Sequence, residues 1–348
     1  GGCGATSQVS ITGEVKAVTG DKMANVEVSL SASLPEYPIA TMTDKEGKYT
    51  FTTLPIGVDY NVSATKKDDY MNGVNTLDLV KIQRHILGLK KLEDGYQMIA
   101  ADVDNDQAIR VSDLVELRKL ILGVTEKLAN NASWRFIDGA QKMGDNPWPF
   151  SEVIGHAEVK ANVTGDKYMG VKIGDVDGGA QANATSTSTQ VRSKGISFSM
   201  EDRNIKSGET VTVEMKASDF TQVYGFQMSA KLNGLTLVNA EGRGIDLDQT
   251  NVASPKANTM TMSWSSAKAE TVANDSKVMI LTFKASQSGM LSEMIALTSD
   301  VTRAEAYLGE AMEVRGVSLE VRNGKAGIFT LEQNTPNPWK GETSIRYE

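Results

Sequence analysis

Cysteine and histidine are nearly absent from the chain. Its 348 residues include one cysteine, Cys3, and two histidines, His85 and His156. One thiol excludes a disulfide framework within the chain and a Cys-rich zinc site. Two isolated imidazoles leave little material for histidine-based catalysis. No apolar run approaches the ~20 residues of a membrane-crossing helix, so no membrane insertion is expected. Positive charge is the minority sign, with 36 Lys and Arg against 44 Asp and Glu, a formal net charge of −8. A nucleic-acid binder would carry a basic stripe, so no nucleic-acid partner is expected. G-x-S-x-G, H-E-x-x-H and phosphate-loop motifs are missing; Gly324-Lys325 lacks the hydroxyl residue that should follow. Without a nucleophile–base set, the chain is not expected to be an enzyme. The opening GGCGATS has neither a basic start nor an apolar stretch, so it shows no signal peptide, and residues 1–7 read as a disordered arm.

What is present divides by periodicity. Over residues 8–66, Val9, Ile11, Val15 and Ala17 alternate with polar neighbours, as do Val26, Val28, Leu30 and Ala32. Period two marks half-buried strands, and Gly20-Asp21, Asp44 to Gly47 and Pro55-Ile56-Gly57 supply turns. A small antiparallel β-sandwich is predicted there. Then the period changes. Leu79, Ile82, Ile86 and Leu89 follow helical spacing, and Leu114, Leu117, Ile121 and Val124 repeat it. Asp78-Leu79-Val80 matches Asp113-Leu114-Val115, and Ile86-Leu87-Gly88 matches Ile121-Leu122-Gly123. The glycines stand where helices end. This is a duplicated loop–helix unit.

Residues 125–177 read as an irregular extension anchored by Trp134, Phe136, Trp148 and Phe150, giving a central module over 67–177. Residues 178–194 have the small, polar composition of a linker. Alternation returns over 195–322, predicting a larger helix-free β-sandwich or jelly roll, with Met262 and Trp264 in its core. A tail over 327–348 follows. The fold class is therefore mainly β, with a helical unit between two sandwiches.

The chemistry concentrates in Asp102-Val103-Asp104-Asn105-Asp106-Gln107-Ala108-Ile109-Arg110-Val111-Ser112-Asp113. Carboxylates fall at loop positions 1, 3, 5 and 12, an apolar residue at 8, and a helix begins at once. Calcium takes six to eight oxygens, and a tight loop turns alternate side chains inward. Asp102, Asp104, Asp106 and Asp113 would supply carboxylates, and Ala108 a backbone carbonyl. Gln107 stands at position 6, where the sharp turn usually takes glycine. A solvated acidic loop is the competing reading; Ile109, Asp113, the helix and the duplication favour Ca²⁺. The first copy is degenerate. Its register runs Lys67, Asp69, Met71, Gly73, Asn75 and Asp78. Either it holds no metal, or oxygens arrive from elsewhere. Asp175-Val176-Asp177 looks like half of such a loop, so Asp175 and Asp177 completing the first copy is one expectation, and a plain surface turn the other.

The duplicated unit, with DVDNDQAIRVSDLVELRKLILG, resembles the type I dockerin, two calcium loop–helix repeats that dock on a cohesin. GVNTLDLVKIQRHILG, SWRF and YMGVKIGDVDG look like the form found in large secreted proteins of Bacteroidetes-type bacteria. Residues 8–66, with TDKEGKYTFTTLPIG, resemble carboxypeptidase regulatory-like or Cna protein B-type domains, which implies a spacer. Residues 195–322, with SGETVTVEMKA and YGFQMSAKL, resemble the cohesin sandwich. The tail LEQNTPNPWKGETSIRYE looks like the start of a type IX secretion sorting domain. The dockerin resemblance implies partner-facing positions at Thr76 and Leu77 and at Val111 and Ser112. Gln83 and Arg84, with Arg118 and Lys119, would flank them.

Together these resemblances imply an extracellular or cell-surface protein whose partner is a protein: another copy of itself or a cohesin- or dockerin-type domain. An adhesin or a self-assembling filament subunit fits, with strand addition through Ser344–Tyr347 as one route to a homopolymer. The alternative is a polysaccharide-binding or scaffolding module of a larger secreted protein.

Overall fold

The computed structural model describes residues 8–183, 194–323, 335–340 and 342–344. The expected arm over 1–7, most of the linker, and much of the tail, including Ile345, Arg346 and Tyr347, lie outside the described residues. Contacts divide the chain into two units, 1–189 and 190–348.

The first unit starts with β1 (Gln8–Ala17), β2 (Glu27–Ser31), β3 (Ile39–Met42), β4 (Lys48–Pro55) and β5 (Val58–Thr65). Three helices follow: α1 (Thr76–Ile86), α2 (Gly95–Ala101) and α3 (Val111–Ile121). Strands then resume as β6 (Trp134–Asp138), β7 (Val153–Val159) and β8 (Val163–Lys172). One sheet runs β4-β1-β8-β6 and the other β3-β2-β5-β7. Each sheet therefore needs strands from both sides of the helices. The sandwich does not end at residue 66, and 125–177 is not irregular: the helices are an insertion between β5 and β6.

Burial explains why β6 and the end of β8 lack alternation. Trp134, Phe136 and Tyr168 join the sandwich core with Ile11, Leu30, Phe51 and Tyr60. Ile137, Val171, Ile173 and Val176 join a second core with Leu79, Ile82, Leu117 and Ile121 of the helices. A strand covered on both faces reads as an apolar run rather than a period of two. The helices end as their glycines predict. Gly88 and Gly123 adopt φ of 67° and 71°, and Leu89 and Val124 return their N–H groups to Arg84 and Lys119 carbonyls.

In the second unit, strands Leu235–Gly242, Ser276–Ala285, Thr210–Ser218 and Ile196–Asp202 lie side by side. Strand Glu313–Asn323 follows them and bridges two layers. Its second half pairs in parallel with Ile196–Asp202, and its first half pairs with Glu305–Leu308. Beyond lie Val223–Leu232 and Thr259–Glu270. Phe198 of one layer meets Phe226 of the other at 5.0 Å between ring centroids, and Phe226 stacks on Trp264 at 5.5 Å. Met262 and Trp264 are core residues. The unit is a β-sandwich, though not free of helix: Leu291–Met294 forms a single turn. In the tail, Thr335–Lys340 pairs antiparallel with Glu342–Ser344.

Candidate metal-binding loops

The loop before α3 is built around two buried carboxylates. Asp113, at the third helical position, accepts from the N–H of Arg110 (2.8 Å) through Oδ2. Its Oδ1 accepts from Val103 (2.7 Å) and Asp104 (3.1 Å). Asp102 accepts from the N–H groups of Asp106 (2.9 Å) and Gln107 (3.0 Å). These bonds curl the chain so that carboxylate oxygens of Asp102, Asp104 and Asp106 lie within 4.8 Å of one another. Asn105 and Gln107 turn the loop with φ of 62° and 64°. Burial raises the Asp102 carboxyl and pushes that of Asp113 up to about 6. Asp104 Oδ1 is buried without a hydrogen-bond partner. Asp106 is drawn outward, its Oδ2 held by the Arg110 guanidinium.

The first copy keeps only its helical half. Asn75 caps α1, accepting from Leu77 N–H (2.7 Å), and Asp78 Oδ2 accepts from Asn75 N–H (2.9 Å), as Asp113 does from Arg110. Lys67 and Asp69 are exposed, and Asp69 does not join the acidic group around Asp78. The missing half comes from beyond β8. Val176 N–H donates to Asp78 Oδ1 (2.8 Å), the role of Val103 toward Asp113. Asp175 accepts from Gly178 (2.9 Å), Gly179 (3.0 Å) and Ala180 (2.7 Å), as Asp102 accepts from Asp106 and Gln107. Carboxylate oxygens of Asp78, Asp175 and Asp177 lie within 4.8 Å of one another.

In space the loop runs Asp175 to Ala180, then Gly73 to Asp78. Asn72 and Gln181 stitch the junction, side-chain amide to backbone, at 2.8 and 3.1 Å. Gly73 is required there: at its φ of 78°, a Cβ would lie 2.4 Å from the Ala180 nitrogen. Burial raises Asp78 well above the usual carboxylate range, and Asp177 and Asp175 beside it add to the shift. Burial, then Asp175, pushes Asp177 up to about 7.

Lys172, 3% exposed, donates to the carbonyls of Tyr70 (2.8 Å) and Ile173 (3.2 Å), and burial lowers it to about 8. It lines a cavity of about 180 Å³ with Asp94, Trp134, Asp175 and Asp177. The sequence reading passed over Lys172, although a lysine inside the apolar run Val171 to Ile173 was a signal.

The partner-facing positions are not equivalent. Val111 is 64% exposed and Ser112 exposed, but Thr76 and Leu77 are 0% and 7% exposed. Packing against their own unit removes Thr76 and Leu77 from any docking face. Gln83, Arg84, Arg118 and Lys119 are half-buried, and Lys119 pairs with Glu116 at 2.7 Å. His85 accepts from Leu92 N–H (3.0 Å), a packing role.

Comparison with protein-family models finds no match, and comparison with curated proteins finds no similar sequence. Among solved structures, the chain is similar to CaCohA2 from Clostridium acetobutylicum, with 12% identity and a TM-score of 0.27. That match covers 38% of this chain and 94% of the other. A type I cohesin–dockerin complex from Clostridium thermocellum matches at 10% identity and a TM-score of 0.29, covering 40% and 99%. A non-cellulosomal cohesin from Archaeoglobus fulgidus matches at 13% and 0.24, covering 36% and 86%.

Proposed function

We propose that the chain is a non-catalytic, calcium-stabilised part of an exported surface or matrix protein that works through protein–protein contacts. The observation that carries the calcium reading is Asp104 Oδ1, a buried oxygen with no partner, beside Asp102 and Asp106. An unpaired buried carboxylate oxygen is costly, and a hard divalent cation takes oxygen donors of this kind. Asp102, Asp104, Asp106, Asp113 and the Ala108 carbonyl would hold one ion. Asp78, Asp175 and Asp177 would hold a second. Each ion would offset carboxylate repulsion and fix a loop against a helix start; neither has a catalytic task.

The dockerin resemblance supports a docking face at Val111 and Ser112, flanked by Arg118 and Lys119. Only the second repeat supplies it, since Thr76 and Leu77 are buried. Export rests on the resemblance of the tail to a type IX sorting domain, and an adhesin or filament subunit is the role that suits such a chain. Calorimetric titration of the chelated protein with calcium tests the reading: binding is expected, and Asp102→Ala with Asp113→Ala should abolish one site. No heat and an unchanged melting point would refute it.

A further inference from the structure

The topology of the first unit sets how it responds to pulling. Its first strand, β1, and its last, β8, are parallel neighbours, registered from Ile11 against Val163 to Ala17 against Gly170. Tension pulls β1 backward from Gln8 and β8 forward from Lys172, in opposite directions along one ladder. All the bonds between the two strands are then loaded at once, in shear. Antiparallel β1 and β4 differ: Gln8 pairs with Pro55, so pulling those two residues apart opens the pairs one after another. A ladder that must break together has a higher unfolding barrier than one that opens stepwise, and forced unfolding is governed by that barrier.

Both ends of this ladder are reinforced. At the entry, Ser10 N–H donates to Asn162 Oδ1 (3.0 Å), and at the far end Val18 N–H donates to the Gly170 carbonyl (3.0 Å). After β8 the chain is fastened again before it leaves the unit. Gly174 N–H donates to Ala100 (2.8 Å), Val176 to Asp78, and the Asn72–Gln181 pair follows. Last, Asn183 accepts from Ala24 N–H (2.8 Å) and donates to the Lys22 carbonyl (2.6 Å). The helices sit in the β5–β6 connection, outside the β1–β8 ladder.

We infer that the first unit is a tension-bearing link: β1 and β8 form a shear-loaded clamp, and residues 174–183 lock its exit. This does not depend on the calcium reading, because every contact named is a hydrogen bond within the protein.

Single-molecule force spectroscopy on the full chain tests it, with Cys3→Ser removing the native thiol. Pulled from its two ends, the chain should show one event lengthening it by roughly 60 nm, from residues 8–183, and one of roughly 45 nm, from 196–323. The same protein with Gln8→Cys and Pro55→Cys as attachment points is pulled in the peeling direction. At one loading rate, the 60 nm event should need a force at least roughly twofold above the peeling force. Asn72→Ala with Asn183→Ala should lower the end-to-end force and leave the peeling force unchanged, and the length gained reports that the molecule was folded. Equal forces in the two directions would overturn the clamp, and an end-to-end force unmoved by the double variant would overturn the lock.

Discussion

The two repeats solve one problem with different stretches of chain. Before α3, a single segment from Asp102 to Asp113 makes the whole loop. Before α1, the helical half from Gly73 to Asp78 meets Asp175 to Ala180, from beyond the last strand of the sandwich. The bond that closes each loop is the same: Val103 or Val176 donates its N–H to the aspartate at the third helical position. The surroundings differ. The contiguous loop is bonded mainly within itself, with Arg135 reaching Asn105 (2.6 Å) from β6. The composite loop joins the exit of β8 to the start of α1, so it ties the inserted helices to the sandwich. One repeat thus makes a local structure, and its copy makes a long-range one.

The sharpest way to break that comparison is to remove the first aspartate of each loop. Asp175→Ala deletes the acceptor of three backbone N–H groups and one proposed metal ligand, and should cost about 3–5 kcal/mol. Asp102→Ala orphans two N–H groups and should cost about 2–3 kcal/mol. Hydrogen exchange separates the two: the first variant should expose both α1 and the end of β8, the second chiefly the loop before α3. Matching exchange patterns would mean the composite loop is not the long-range tie.

Calcium comes next. At ~1,000 times its dissociation constant, one ion adds about 4 kcal/mol. A chelator should therefore lower the melting point of the first unit, and Asp102→Ala with Asp113→Ala should leave only the composite loop's share of that shift. Loop position 7 gives a smaller contrast. Gly73→Ala forces a Cβ against Ala180 at a left-handed φ and should cost about 2–3 kcal/mol, whereas Ala108 already carries that Cβ in the contiguous loop.

The pH response of the chelated protein follows from Asp78, Asp113 and Asp177, all raised by burial. Folded, these groups hold protons that the unfolded chain has already released. Their contribution to stability is therefore complete below about pH 4 and is lost as pH rises, through about 6 for Asp113 and about 7 for Asp177. Denaturation of the calcium-free protein between pH 4 and 8 should show stability falling with pH, and saturating calcium should remove the fall. A calcium-free protein that gains stability over that range would contradict the burial of these carboxylates.

Much of this was legible in the sequence. Alternation located β1 and β2, helical spacing located α1 and α3, and the D-x-D-x-D run located the contiguous loop. Asp175 and Asp177 could be suspected only because Asp-Val-Asp occurs twice. That β6, β7 and β8 complete the first sandwich was hidden by physics. Covered by helices on one face and the opposite sheet on the other, β6 and the end of β8 lose the alternation that reports a half-exposed strand. Nor could local pattern show that Thr76 and Leu77 are buried while their counterparts Val111 and Ser112 are exposed. Tertiary packing decides that.

The smallest effect separates the loops at position 6. A continuous loop must turn sharply there, and Gln107 does so at φ 64°, where a Cβ crowds the backbone at a cost of about 1–2 kcal/mol. Ala180 is its counterpart, but the composite loop passes from there to Gly73 through space, and Ala180 itself is not left-handed; the positive φ falls on Gly73. Gln107→Gly should therefore stabilise the first unit by about 1 kcal/mol, the relief of strain less the added freedom of the unfolded chain. Ala180→Gly should destabilise it by about 1–2 kcal/mol, because it frees the unfolded chain and removes a Cβ buried in the sandwich core. Parallel chemical denaturation of the two variants reads both signs, and a shared sign would mean that the loops do not differ in how they turn.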